Sequence, residues 1–212
     1  MKRFALALCL IVMTGCRQGH ASADSARADS LARVRQDSVN RAQPGYIVDS
    51  ILPIEEQLRR FRVGLPDTRV FSNGAASREA LVQSFMRSLE NADTAALVRL
   101  AVSRAEFAYL VYPESPLSAP PYEQAPDLVW MRHAAASATG LKRLLARAPG
   151  TRLWMRLSSC SEPPLVEGAN RIWRDCVVRF APHGGAIQST QLFSGIIERQ
   201  GRFKILSYAN AF

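Results

Sequence analysis

The chain has 212 residues, a formal net charge of +9 at pH 7 and 48% hydrophobic residues. This length accommodates one domain of ordinary size together with terminal segments. Its 24 arginines and 3 lysines are scattered along the sequence and accompany no nucleic-acid-binding motif, so the basic charge does not predict nucleic acid as a partner.

The amino-terminal residues have the layout of a secretory signal. Lys2 and Arg3 precede an apolar run over residues 4–13, which is followed by small residues and Cys16. A membrane-spanning helix needs about 20 apolar residues, and Arg17 stands well before that length is reached. The pattern therefore predicts an export signal rather than a membrane-spanning helix.

Residues 13–16, Met-Thr-Gly-Cys, resemble the lipobox of bacterial lipoproteins, with methionine where leucine is usual. The resemblance implies that residues 1–15 are a signal peptide, that Cys16 carries diacylglycerol, and that the new amino terminus is acylated, with palmitate as the expected chain. Several acyl chains hold a protein on a membrane more firmly than one chain does. The alternative is an ordinary signal peptide cut elsewhere, which would leave Cys16 as a spare thiol.

The same resemblance predicts a location. Arg17 rather than an aspartate follows Cys16, so nothing resembles an inner-membrane retention signal. We expect an exported lipoprotein that is anchored to the lipid membrane through acylated Cys16, on the periplasmic face of the outer membrane if the organism has one. Loss of Lys2 and Arg3 with the signal lowers the formal charge from +9 to +7.

Residues 16–45 are predicted to be the lipidated cysteine and a flexible tether. Leu31 and Val34 alone bury too little apolar surface to offset the entropy of ordering this polar segment. Alanine and arginine favour helix, so part of the segment is expected to visit that state. Pro44-Gly45 ends it with a strong breaker. Residues 46–212 are expected to fold as a single α+β domain.

The remaining cysteines form an even pair. Cys9 leaves with the signal and Cys16 is taken by lipid, so Cys160 and Cys176 are left in a compartment that permits disulfides. We predict a structural disulfide between them. Two buried free thiols are the alternative.

Capping residues and hydrophobic spacing predict the helices. Ser77 and Asp93 are candidate N-caps ahead of apolar residues at helical spacing, and Ser103 with Glu106 has the pattern of a capping box. The predicted helices cover residues 53–63 and 77–91, begin again at Asp93 and Ser103, and end with a long one over 127–148. Between them, residues 112–126 hold five prolines and are predicted to be an extended surface loop, either a passive crossover or a docking strip.

After residue 150 apolar and polar residues alternate, which is the period of β-strands. We predict four consecutive antiparallel strands over residues 153–158, 172–180, 187–199 and 202–209. Gly195 predicts a bulge or bend inside the third strand. Helices followed by antiparallel strands indicate the α+β class.

This order of elements, over residues 77–212, resembles the nuclear-transport-factor-2-like superfamily, to which SnoaL-type enzymes belong and whose fold is also called cystatin-like. The resemblance implies N-terminal helices packed on a curved antiparallel sheet of about four strands, with a cone-shaped pocket between them. It rests on element order and on no diagnostic motif. Because the superfamily includes isomerases, dehydratases and binding modules, it does not select a function.

The sequence contains no G-x-S-x-G, Walker loop, H-E-x-x-H or glycine-rich dinucleotide motif. The candidates for a pocket acid/base pair are Asp175, His133 and Tyr112. Asp175 also fits a surface salt bridge with Arg174 or Arg179, and His133 fits a helix surface. No ligand spacing predicts a metal site, and no motif predicts a cofactor.

We therefore expect a membrane-tethered envelope lipoprotein whose domain binds an envelope protein or a small hydrophobic ligand and is not an enzyme. Two alternatives stay open. One is a SnoaL-type small-molecule enzyme with a pocket acid/base residue, and the other is a structural or assembly module of the cell envelope. Trp130, Trp154 and Trp173 either line a ligand pocket or belong to the core.

Overall fold

A computed structural model of the chain describes residues 18–43, 52–147, 152–182 and 185–210. The chain divides into two compact units between Ile51 and Leu52, six residues after the domain start that the sequence predicts. The predicted signal over residues 1–15 and the predicted lipid site Cys16 lie outside the described residues. Within the described residues, no helix combines the length and the apolar character that crossing a membrane requires.

In the first unit, Gln18–Arg41 form an α-helix, α1. Helix was expected for part of this segment, and its flexibility stays a prediction. The large apolar side chains Leu31, Val34 and Val39 are exposed. Local helix propensity of alanine and arginine, rather than burial of an apolar face, accounts for the helix. Its role as a tether stays a prediction.

The second unit begins with helices, and their predicted caps are confirmed. The Ser77 side chain accepts a hydrogen bond from Ala80 N–H, and the Asp93 side chain accepts one from Ala96 N–H. Ser103 forms a capping box with Glu106. The α-helices of this unit are Ile54–Phe61 (α2), Arg78–Glu90 (α3), Thr94–Leu100 (α4), Arg104–Glu106 (α5) and Pro126–Arg147 (α6).

The prediction of an extended loop over residues 112–126 is wrong, because this proline-rich segment contains short helical turns. After α5 the chain continues as a π-helix over Phe107–Val111 and then as two 3₁₀ turns, Tyr112–Glu114 and Pro116–Ser118. Proline fixes φ near the value that a 3₁₀ turn uses and is tolerated at the first position of a helical turn. The same prolines that exclude a long helix therefore fit a chain of short helical turns.

Carbonyl groups of the π-helix accept hydrogen bonds from distant side chains. Arg62 Nε and Nη2 donate to the carbonyl oxygen of Ala108 at 3.1 and 3.0 Å. The buried Asn170 amide donates to the carbonyl oxygen of Leu110 at 2.8 Å. These bonds satisfy backbone acceptors and fix the π-helix against α2 and the sheet.

Across the residues that the structure describes, the strands form two antiparallel sheets. One contains three strands in the order β1-β4-β5, and the other contains four in the order β2-β3-β6-β7. The α+β class is confirmed, but the single sheet of about four strands is wrong. The strands are Leu153–Ser159 (β1), Leu165–Glu167 (β2), Asn170–Arg174 (β3), Val177–Pro182 (β4), Gln188–Thr190 (β5), Gly195–Arg199 (β6) and Arg202–Ile205 (β7).

Two predicted strands each divide in two, which produces the second sheet. The run 172–180 breaks at Asp175, whose φ of 51° turns the chain out of the extended conformation, so β3 and β4 belong to different sheets. The run 187–199 breaks before Gly195, which begins β6. A Cβ atom at Gly195 would lie 2.5 Å from the carbonyl oxygen of Trp173, so glycine allows this close approach to β3.

The four-stranded sheet separates two hydrophobic cores. Trp173 and Ile196 belong to one core, which also contains Phe85. Ile172 and Ile197 belong to the other, which also contains Phe107. Adjacent strand residues thus enter opposite cores, because side chains alternate across a sheet. Both faces of its central strands, β3 and β6, are covered by protein.

The three-stranded sheet is covered differently. Met155 of β1 and Val178 and Phe180 of β4 point into the first core and are buried. Their neighbours Trp154, Arg156 and Arg179 are exposed. One face of this sheet therefore packs on the core and the other meets solvent, the usual arrangement of an antiparallel sheet.

Candidate functional site

Two of the three predicted acid/base candidates lie around one aromatic ring. The Phe107 ring centroid is 5.6 Å from that of Tyr112 and 5.9 Å from that of His133. Trp130 stacks against His133 at 5.5 Å. Burial lowers the pKa of His133 below its usual value, although a hydrogen bond with the backbone of Leu206 acts in the opposite direction. His133 is therefore half-buried among aromatic rings rather than on an open helix surface.

The Tyr112 hydroxyl is already occupied within the fold. It donates to the carbonyl oxygen of Gln124 at 2.5 Å, and the side chain is fully buried. Burial, with the nearby charges of Asp127 and Glu123, raises the pKa of Tyr112 to about 12. A neutral, buried hydroxyl bonded to the chain twelve residues later ties the proline-rich segment to the core.

Asp175 lies apart from this aromatic group. Its exposed carboxylate accepts hydrogen bonds from Ser161 Oγ at 2.8 Å and from Gln191 Nε2 at 3.4 Å. Within the described residues it forms no salt bridge with Arg174 or Arg179, the partners suggested by the sequence. Its bonds instead join loops on either side of the corner between β3 and β4. No contact in this part of the structure brings it to His133 or Tyr112.

A disulfide stands at the same corner. The Sγ atoms of Cys160 and Cys176 are 2.12 Å apart, and 16 positions of sequence separate the two residues. Cys160 follows β1 and Cys176 precedes β4, two strands that pair with each other. The bridge therefore closes the end of this strand pair, next to the register shift between Leu157 and Ser159.

A buried ion pair joins Glu106 to Lys204. Lys204 Nζ lies 3.0 and 2.8 Å from the two carboxylate oxygens, and both side chains are buried. Burial alone would raise the pKa of Glu106, but hydrogen bonds from Lys204, Ser103 and Ser72 outweigh it and lower that pKa. Both carboxylate oxygens of Glu106 accept hydrogen bonds from groups of the protein itself. The pair is therefore a structural connection between α5 and β7.

The three tryptophans do not form one pocket. Trp173 is buried and its Nε1 donates to Glu162 Oε1 at 3.0 Å. Trp130 packs on Phe107, with ring centroids 5.2 Å apart. Trp154, in contrast, is 48% exposed on the solvent face of the three-stranded sheet. This indole is an apolar group that the fold does not cover.

Two arginines stand next to Trp154 on that face. In the antiparallel register Arg156 of β1 is directly opposite Arg179 of β4, and Trp154 is opposite Ala181. Cβ atoms of directly opposed residues are about 4.5–5.5 Å apart, so the register places two positive side chains side by side. Ser189 of β5 continues the row from Arg179. We call Trp154, Arg156, Arg179, Ile187 and Ser189 the outer face.

The outer face has no negative charge of its own. The strands β1, β4 and β5 contain neither aspartate nor glutamate. Neither Arg156 nor Arg179 forms a salt bridge within the described residues. Ile187, one residue before β5, is 55% exposed. The face thus combines two uncompensated cations with two exposed apolar side chains.

The alternation of side chains along β1 was sufficient to predict the part of the outer face that β1 contributes. It places Trp154 and Arg156 on one side of the strand, opposite to Met155. The sequence does not show that Arg179 is the partner of Arg156, because β1 and β4 are neighbours in the sheet but are not consecutive along the chain. The missing information was the pairing of β1 with β4.

Metal chemistry has no evident centre in the part of the chain that the structure describes, since no group of three or more His, Cys, Asp or Glu side chains is placed to hold an ion. The outer face is instead suited to binding anions by guanidinium groups. Comparison with known proteins gives no match to any family model, curated protein or solved structure.

Proposed function

We propose that this protein is an envelope lipoprotein, tethered to a membrane through lipid on Cys16, whose α+β domain binds an anionic ligand on the outer face and performs no catalysis. The exported location and the tether follow from the lipobox resemblance. The binding site follows from the geometry of β1, β4 and β5.

One observation carries the proposal. Arg156 and Arg179 are cross-strand neighbours of like charge, exposed beside the open indole of Trp154. Like charges directly opposite each other destabilise a sheet. An anion between the two guanidinium groups would remove that repulsion and accept their hydrogen bonds. A bound anion therefore stabilises the outer face more than water alone does.

For the fold family, we propose the nuclear-transport-factor-2-like superfamily. Helices that precede antiparallel strands and pack on them support it, and so does the bend before Gly195. An experimental structure of the second unit is the test. Superposition on that superfamily over both sheets would support the assignment, and a different strand order would contradict it.

The tether has its own experiment. Cys16→Ser should abolish incorporation of labelled palmitate and leave the protein unprocessed or soluble. Cys160→Ser removes a different cysteine and should leave the labelling intact. Equal labelling of the Cys16→Ser variant and the wild type would contradict the lipid assignment.

The binding face is tested by photocrosslinking in cells that produce the full chain. A benzophenone amino acid at position 154 should form an adduct on irradiation, and adding Arg156→Glu and Arg179→Glu should suppress it. The same photoreactive group at position 98 is the control, because Val98 is also exposed but lies on α4. Equal adduct formation at positions 154 and 98 would contradict binding at the outer face.

A further inference from the structure

We propose that the ligand of the outer face is an anionic phospholipid surface, so that the domain lies against the membrane with β1, β4 and β5 facing the headgroups. This inference rests on the proposed function and names its ligand. It adds a second membrane contact, made by the folded domain, to the one predicted at Cys16.

The side chains of the outer face are the types that membrane interfaces favour. Trp154 is 48% exposed and Ile187 is 55% exposed. Tryptophan is enriched where a membrane meets water, because its ring is largely apolar and its N–H group is polar. Arg156 and Arg179 add guanidinium groups, which bind phosphate oxygens in a forked geometry. The pattern of apolar and cationic groups matches a headgroup layer, which offers both environments.

Charge complementarity favours an anionic rather than a neutral membrane. No acidic residue occurs in the three strands, and Arg152 stands exposed just before β1. Anionic lipids attract basic residues over roughly one Debye length, about 8–10 Å in physiological salt. The arginine side chains project from the sheet surface and come within this distance when the sheet lies on the headgroups.

The size of the face argues against a protein partner. β1 has 7 residues, which at about 3.3 Å each gives a length of roughly 23 Å. Three strands spaced about 4.8 Å apart are roughly 14 Å wide with their margins, so the face measures about 300 Å². A stable protein interface uses about 800 Å² on each partner. A membrane surface sets no such minimum area, because the attraction of anionic lipids for each basic side chain adds to that for the others and needs no shaped interface.

The test is vesicle flotation with the chain from residue 16 onward carrying Cys16→Ser, so that the anchor cannot contribute. Vesicles contain either phosphatidylcholine alone or phosphatidylcholine with 30 mol% phosphatidylglycerol, about one lipid in three charged. We expect binding to the anionic vesicles only, weakened by salt, with a blue shift of Trp154 fluorescence that Trp154→Phe removes.

Matched variants decide the result. Arg156→Glu with Arg179→Glu should reduce the affinity for anionic vesicles by at least about tenfold, whereas Arg69→Glu with Arg99→Glu changes the net charge equally at exposed positions elsewhere and should reduce it by no more than about twofold. Arg156→Gln with Arg179→Gln provides a milder pair if the reversed charges impair folding. Circular dichroism melting confirms that each variant is folded.

Two outcomes would overturn the inference. One is no binding of the Cys16→Ser chain with an unchanged outer face to anionic vesicles, and the other is an equal loss for both double variants. If vesicle binding is absent while the position-154 adduct in cells contains a protein or a glycan, the lipid inference is wrong and the proposed binding face stands. If neither vesicle binding nor an adduct is found, both fail.

Discussion

Arg156 on β1 lies directly opposite Arg179 on β4, and both side chains are exposed on the same face of the sheet. Such a pair lowers stability, because like charges directly opposite each other repel. No contact within the fold requires the two arginines to be opposite each other. An unfavourable pair of this kind is typical of a functional surface.

The first prediction concerns the stability of this pair. Arg179→Gln should raise the free energy of unfolding by about 0.2–1 kcal/mol at low salt, since it removes the repulsion from Arg156. The gain should shrink as salt screens the charges. Urea unfolding at two salt concentrations measures it, with Arg69→Gln as the exposed control. A loss of stability at low salt would show that Arg179 has a structural role instead.

The second prediction concerns the buried pair of Glu106 and Lys204. Lys204→Met should cost about 3–5 kcal/mol, because it leaves the Glu106 carboxylate buried without its cation. Thermal or urea unfolding measures the loss. Glu56→Gln is a control on a partly exposed carboxylate, which pairs with Arg59 and Arg60 on one helix, and should change stability little. A similar effect of both variants would contradict the structural role of the buried pair.

The contribution of Glu106 to the pH dependence of stability has a definite sign. The pKa of Glu106 is lowered in the folded protein, so as the pH falls below the ordinary glutamate pKa the unfolded chain binds more protons than the folded chain. The stabilisation is therefore complete above that pH and is lost as the pH falls through the lower, folded-state pKa. Glu106→Gln should flatten the decline of stability in this acid range. If the Glu106→Gln variant loses stability in acid as steeply as the wild type, other carboxylates cause the decline.

The helices and caps were predictable because their signals are local. Ser77, Asp93 and the pair Ser103 and Glu106 lie within one turn of the groups they cap. The second role of Glu106 was not predictable, since Lys204 is 98 residues away. The division of the strands into two sheets was not predictable for a related reason. Alternation continues through Asp175, and only its positive φ turns the strand.

The same distinction explains the candidate site. Asp175, His133 and Tyr112 were acid/base candidates because their side chains are titratable. Yet Tyr112 is hydrogen-bonded to Gln124, and Asp175 is hydrogen-bonded to Ser161. Trp154 and Arg156 looked like an ordinary strand segment until the register supplied Arg179. Local patterns identify elements, whereas a surface made by non-consecutive strands depends on their pairing.

The third prediction concerns the disulfide. Replacing both Cys160 and Cys176 by alanine should lower the free energy of unfolding by about 2–4 kcal/mol, because the bridge restricts the unfolded chain through a loop of about 15 residues. Reduction of the wild type should have a similar effect, and the double variant should not respond to reductant. A wild type whose unfolding is the same with and without reductant would contradict a stabilising bridge.

The fourth prediction concerns Gly140 in α6. Alanine normally stabilises a helix interior relative to glycine, but a Cβ atom here would lie 1.6 Å from the carbonyl oxygen of Tyr208. Gly140→Ala should therefore destabilise the protein by about 1–3 kcal/mol or more, as in an overpacked core. Thr139→Ala, at an exposed neighbouring position, should be neutral or slightly stabilising. A stabilising effect of Gly140→Ala would contradict the close packing of α6 on the C-terminal segment.

The most direct test of the outer face is arginine footprinting. An arginine-specific dicarbonyl reagent is applied to the purified chain and to isolated envelopes of cells that produce it, and mass spectrometry compares the modification rates. We predict that Arg156 and Arg179 are modified several times more slowly in the envelopes, whereas Arg69 and Arg99, also exposed, keep their rates. Equal rates for all four arginines in both samples would contradict a bound ligand at the outer face.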